Sequence, residues 1–191
     1  AAPSRGVVTL TPWWLTDRLL VDQLGGVTAA IVVFFAFAAW AAVHSVLASH
    51  RVKRAFHRRF GPTLYGWYRL LFNVFAVVSI TPVLWIAYRL PDTPLYRAHA
   101  PWSWILMAVQ AVCLVVLALV VRQTGAAHFL GLAQIAGKGG PDDGGSLNFR
   151  GLYRHVRHPL YLLGLGLIWL SPVMTVNSLS LGVAMSAYFW L

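Results

Sequence analysis

Residues 27–59 read VTAAIVVFFAFAAWAAVHSVLASHRVKRAFHRR. From Val27 to Leu47 there is no formal charge, and a helix needs about 20 mostly apolar residues to cross the hydrocarbon core of a bilayer. Directly behind that run come Arg51, Lys53, Arg54, Arg58 and Arg59. An uncharged stretch of spanning length with a basic cluster on one flank is the pattern of a membrane helix whose basic end faces the cytoplasm.

The pattern repeats outward from this stretch. Residues 70–88 lie uncharged between Arg69 and Arg89, and residues 98–121 between Arg97 and Arg122. From His158 to Leu191 there is again no formal charge, but Ser171-Pro172 and Asn177-Ser178 interrupt the run, so it reads as two helices joined by a turn. The expected fold is an all-α polytopic membrane helix bundle. It forms a single transmembrane domain over residues 1–191, with about five spans near 27–48, 68–89, 102–122, 159–176 and 178–191. The last span, cut at Leu191 inside an apolar run, is expected to continue. Residues 12–24, PWWLTDRLLVDQL, are too polar to span. Their tryptophans and leucines suit a short interfacial helix.

Composition agrees. Hydrophobic residues make up 59% of the chain and charged residues 10%, against about a quarter charged in soluble domains. The net charge of +10 sits in short loops, which argues for membrane topology and anionic lipid headgroups rather than nucleic acid as the electrostatic partner. Arg122, Lys138, Arg150, Arg154 and Arg157 join the first basic cluster on one side, whereas Arg5, Arg18, Arg89 and Arg97 fall on the other. The N-terminus is thus expected outside, and residues 123–157 form a cytoplasmic loop. That loop contains GKGGPDDGGS, a flexible glycine-rich tip that lacks the Gly-Lys-Ser/Thr ending of a phosphate-binding loop. The preceding HFLGLAQI reads as a half-buried segment at the membrane surface. The single cysteine, Cys113, excludes an intrachain disulfide. All acidic residues are aspartates: Asp17, Asp22, Asp92, Asp142 and Asp143.

The segment with the most chemistry is GLYRHVRHPLYLLGLG, Gly151–Gly166. Pro159 suits the first turn of a helix, where its missing N–H costs nothing. Arg154, His155, Arg157 and His158 stand just before it, so arginines meet the positive end of a helix dipole, a setting for an anion at the membrane surface. The plainer reading is that these cations anchor the helix among headgroups. Gly164 and Gly166 leave room for a ligand or a neighbouring helix. Inside the spans, the ionisable His44 is a functional candidate by default, and His44 and the polar Asn73 are candidates for lining a substrate tunnel. Snorkelling or a helix–helix hydrogen bond is the plainer reading of His44, and a bond across helices that of Asn73. The histidines do not form a convincing metal-binding spacing, so no metal is expected.

GLYRHV followed by RHPLY resembles the signature of the isoprenylcysteine carboxyl methyltransferase-like superfamily, which also takes in phospholipid N-methyltransferases and the methanethiol S-methyltransferase group. AAVHSVLASHRVKRAF, YRLLFNVFAVVSI, FLGLAQI and GLYRHVRHPLYLLGLGLIWLSPVMTVN come in the order of its bacterial branch, so the resemblance covers most of the chain. It implies a membrane methyltransferase in a bacterial cytoplasmic (inner) membrane, with S-adenosylmethionine bound at the cytoplasmic face. Carried over, Arg157, His158, Pro159 and Tyr161 line the cofactor pocket, and Tyr153 and Arg154 shape its entrance. The acceptor is expected to be lipophilic or a small thiol or carboxylate. The family usually completes its cofactor site with a Glu-Glu pair on a later helix, and this sequence has no glutamate. That departure keeps a second reading open: a non-catalytic methyltransferase-like subunit, a scaffold or packing partner for other membrane subunits. A dinucleotide-dependent lipid reductase, by analogy with related sterol enzymes, has no further signature in its favour.

Overall fold

The computed structural model describes residues 13–123, 125–137, 151–156 and 158–190, and they are nearly all helical. Among them, three helices are long and apolar enough to cross a membrane: Gly25–Ala48, His50–Arg89 and Trp102–Gln123. The first of these is the greater part of α1 (Trp13–Ala48), the others are α2 (His50–Arg89) and α3 (Trp102–Gln123). Large apolar side chains stand out from these helices, with Phe35, Val77 and Trp104 each about two-thirds exposed. Apolar exposure along whole helices is what a bilayer covers and water does not tolerate. The core is correspondingly thin. Phe37 and Ala41 of α1 pack with Val83 of α2 and Ala184 of the last helix, α7 (Val176–Trp190).

The interfacial segment expected at 12–24 is not a separate helix, because the chain is helical without a break from Trp13 to Ala48. Gly25 and Gly26 take helical geometry there. They serve a contact instead: a Cβ on Gly26 would lie 3.0 Å from the Thr93 hydroxyl oxygen, so the loop after α2 lies close against this turn of α1. The break between α1 and α2 falls at Ser49, whose hydroxyl donates to Val46 O at 2.6 Å and accepts from Val52 N. It is a capping residue doing the work of an N-cap. A second break lies inside α2 at Gly61, with φ 76° and ψ 177°, a conformation essentially confined to glycine. Pro62 follows at the start of the longer, apolar part of the helix.

After α3 the chain makes two single-turn helices, α4 (Ala126–Leu130) and α5 (Leu132–Ile135), which are the expected half-buried HFLGLAQI segment. Gly131 between them has φ 95°, and a Cβ there would lie 2.5 Å from Leu70 N. The pair of short helices thus rests directly on the α2 backbone, a contact only glycine permits.

The span expected at 159–176 ends early. Helix α6 (Pro159–Trp169) is about 16 Å long at 1.5 Å per residue, short of the roughly 30 Å hydrocarbon core. Pro172 keeps Ser171 out of helical geometry, and the Ser171 hydroxyl bonds Val173. Residues Val173–Thr175 then form a strand, β2, antiparallel to β1 (Pro94–Arg97). This two-stranded sheet replaces the simple turn that the sequence suggests. Among the described residues, three helices reach spanning length. Gly164 and Gly166 face neighbouring helices: added Cβ atoms would meet Met185 of α7 and Cys113 of α3 at 3.1 and 3.3 Å. Gln110 of α3 donates to Leu167 O at 2.7 Å, tying α3 to α6.

Candidate functional site

The two ends of the bundle differ. At the end carrying β1 and β2, Asp92 Oδ1 accepts from Thr93 N and from Asn177 N at the start of α7. The fully buried Asn177 amide donates to Ala87 O and Pro91 O. At the opposite, basic end a cavity of about 650 Å³ opens among α1, α2, α4 and α6. That volume lies within the range of about 300–1,000 Å³ typical of small-molecule sites.

Each wall of the cavity has a local cause. His44 sits near the end of α1, stacked on Trp40 at 4.8 Å and tilted against Phe72 at 4.7 Å. Its Nδ1 is buried without a hydrogen-bond partner, so the helix–helix bond considered for it is not made by that atom. Asn73 and Arg69 are one helical turn apart on α2, and both donate to Phe129 O, at 2.9 and 3.3 Å. Phe129 reaches them because Gly131 lets α4 and α5 lie on the α2 backbone. Asn73 therefore holds a cross-helix bond and lines the cavity at once. His50 and Lys53, on the first turn of α2, complete the basic rim.

The RHPLY segment supplies the last wall. Pro159 is buried and opens α6, as its missing N–H allows. Tyr161 lines the cavity beside Leu160. It stacks with His158 at 5.2 Å and with Phe189 at 4.3 Å, nearly parallel. His158 is exposed. Tyr153 and Arg154 lie on a 3-10 turn, Gly151–Arg154, and are not among the cavity-lining residues. Arg157 and the glycine-rich tip at 138–146 lie outside the described residues.

The structure thus brings Tyr161, His44 and Asn73 to one hollow. Sequence reading missed Arg69, which served there only as the edge of a span, and also Lys53 and His50. The signal was present: Arg69 and Asn73 are four apart, hence on one helix face. The lining is cationic toward the rim and aromatic inside, with Phe72, Phe129 and Tyr68. Among the described residues, no carboxylate lines it. Among described residues, no group of three histidine, cysteine or acidic side chains is placed to hold a metal ion. Such a hollow suits an amphiphile with an anionic group at Lys53 and Arg69 and an apolar or aromatic body deeper in.

No family model matches the chain, and neither the curated proteins nor the solved structures compared with it include a similar one.

Proposed function

We propose that the protein transfers a methyl group from S-adenosylmethionine, entering at the basic end, to an acceptor that arrives from the lipid: a lipophilic molecule or a small thiol or carboxylate. One observation carries the reading: Tyr161, from the segment that resembles a methyltransferase signature, shares a cavity with His44 and Asn73 from the spans. The residues present fit part of such a donor. Lys53 and Arg69 suit its carboxylate, and the aromatic walls suit adenine and the sulfonium. Among the described residues, no acidic side chain in the lining answers its ammonium group. When bound, the donor supplies an electrophilic methyl on sulfur. The chain's own contribution is positioning, since a displacement of this kind gains most from holding two reactants in line. In this reading His158, Pro159 and Tyr161, with Arg157, hold the donor, and Tyr153 and Arg154 shape the entrance. His44 and Asn73 border the acceptor, and the basic end faces the cytoplasm of a bacterial inner membrane.

The test is calorimetric titration of the purified protein with S-adenosylmethionine, beside Arg157→Ala and Tyr161→Ala. Saturable binding that weakens about tenfold or more in either variant, the loss of one charge-assisted or stacking contact, supports the reading. No binding by the unsubstituted chain ends it. Equal binding by all three moves the site elsewhere.

A second reading has an observation of its own. The groove between α1 and α7, about 430 Å³, is walled by Ala38, Ala41, Ala42, Ala184 and Ala187, and small residues let membrane helices approach closely. A non-catalytic subunit docking a neighbouring helix there would co-purify in a defined complex and bind no methyl donor.

A further inference from the structure

A second recess lies on the basic end, apart from the cavity above. The break at Gly61 separates residues 50–60, the basic first part of α2, from the apolar helix that follows. It brings the two parts back into contact: Phe56 meets Tyr68 at 5.0 Å, and the His57 ring stands edge-on to Tyr65 at 4.8 Å. Arg54, His57, Arg58 and Tyr65 wall the resulting hollow of about 360 Å³. Arg54 and Arg58 are one turn apart and His57 lies between them, so three cationic or cation-forming groups converge on one face. Tyr65 is buried and gives this face a fixed wall.

The sequence contains no acidic residue between Asp22 and Asp92, and among the described residues no carboxylate walls the recess. Depth in the membrane also matters. Tyr65 lies one to two helical turns, about 7.5 Å, before Leu70, where the uncharged run begins. The headgroup layer occupies about 5–8 Å on each side of the hydrocarbon core. The recess therefore sits at headgroup level if α2 stands near the membrane normal.

We propose that Arg54, His57 and Arg58 form a binding site for a phosphate monoester dianion. Two guanidinium groups can each engage phosphate oxygens in a bidentate manner. A monoester carries close to two negative charges at neutral pH, whereas a diester carries one. The site thus favours phosphatidate over phosphatidylglycerol. It could equally take the same group from a soluble phosphate, and the experiment separates the two sources. The proposal does not depend on the methyltransferase reading.

The test uses the full chain in detergent, titrated with short-chain phosphatidate, short-chain phosphatidylglycerol and inorganic phosphate, followed by intrinsic tryptophan fluorescence. Phosphatidate is expected to bind about tenfold more tightly than phosphatidylglycerol. The double variant Arg54→Gln/Arg58→Gln should lose that preference. The double variant Arg51→Gln/Arg59→Gln removes the same charge from the same helix outside the recess, and should keep it. Gly61→Ala keeps every charge but strains the break, and it too should lose the preference. Displacement of phosphatidate by inorganic phosphate at comparable concentration would assign the site to soluble phosphate, and failure to displace it would assign the site to the lipid. Equal affinity for the two lipids, or equal loss in the two arginine double variants, would mean diffuse surface charge and overturn the proposal.

Discussion

The end of the bundle that carries β1 and β2 is closed by hydrogen bonds, and the basic end is hollow. At the closed end, Asp92 and Asn177 join the α2–β1 loop to the start of α7. Val176 N donates to Thr93 O, Ala98 N to Pro172 O, and the Tyr96 hydroxyl to Ser171 O. At the basic end, bonds from Arg69 and Asn73 to Phe129 O and from the Tyr68 hydroxyl to Leu47 O shape the wall of a cavity. A buried atom without a partner occurs at both ends, His44 Nδ1 at the basic one and Asn177 Oδ1 at the closed one. The contrast separates stability from function. A membrane bundle gains little from apolar burial between its helices, because lipid is as apolar as they are. Polar ties at one end can hold the helices in register, and the other end can then keep a cavity.

Substitutions should divide along this line. The largest stability loss is expected at Asn177→Leu, which removes two donors to backbone carbonyls in a fully buried site and leaves those acceptors unpaired. A loss of about 2–4 kcal/mol, read from denaturant unfolding in mixed micelles, is expected. Next comes Gly131→Ala at the basic end. Its positive φ and the approach to Leu70 N should cost about 2 kcal/mol and displace Phe129. Ligand binding in the cavity should fall with it, which unfolding and titration can show together. Asp92→Ala removes the cap on α7 and should cost about 1 kcal/mol with the cavity untouched. The smallest stability effect, within about 0.5–1 kcal/mol, is expected for His44→Phe, because the imidazole already stacks as an aromatic ring and one of its nitrogens gains no bond. If His44→Phe alters acceptor affinity and leaves unfolding unchanged, the division between the ends holds. If His44→Phe destabilises as much as Asn177→Leu, the division is wrong.

Much of the bundle was legible in the sequence because a bilayer imposes length and apolarity directly on local runs. Val27–Leu47 and the stretches between Arg69 and Arg89 and between Arg97 and Arg122 needed no tertiary information. The continuity of α1 through Gly25 and Gly26 was not legible, since whether glycine breaks or packs depends on Thr93, far along the chain. The early stop of α6 had a local sign in Ser171-Pro172. The pairing of Val173–Thr175 with Pro94–Arg97 is non-local and left no periodic mark on three residues. In the cavity, His44, Asn73 and Tyr161 stood out as polar groups in apolar surroundings. Arg69 did not, because a cation at the edge of a span is ordinarily taken up by headgroups. Its turn toward Phe129 follows from the close approach that Gly131 allows.

The role proposed for the hollow at the basic end is to hold a charged methyl donor beside the lipid. Photolabelling reports on it most directly: the purified protein is irradiated with a photoreactive S-adenosylmethionine analogue, with and without excess S-adenosylmethionine, and the labelled peptides are mapped. Competed labelling is expected on peptides that contain residues 69–73 and 158–161. Labelling confined to the Asp92–Asn177 end, or labelling that competitor leaves unchanged, would contradict it.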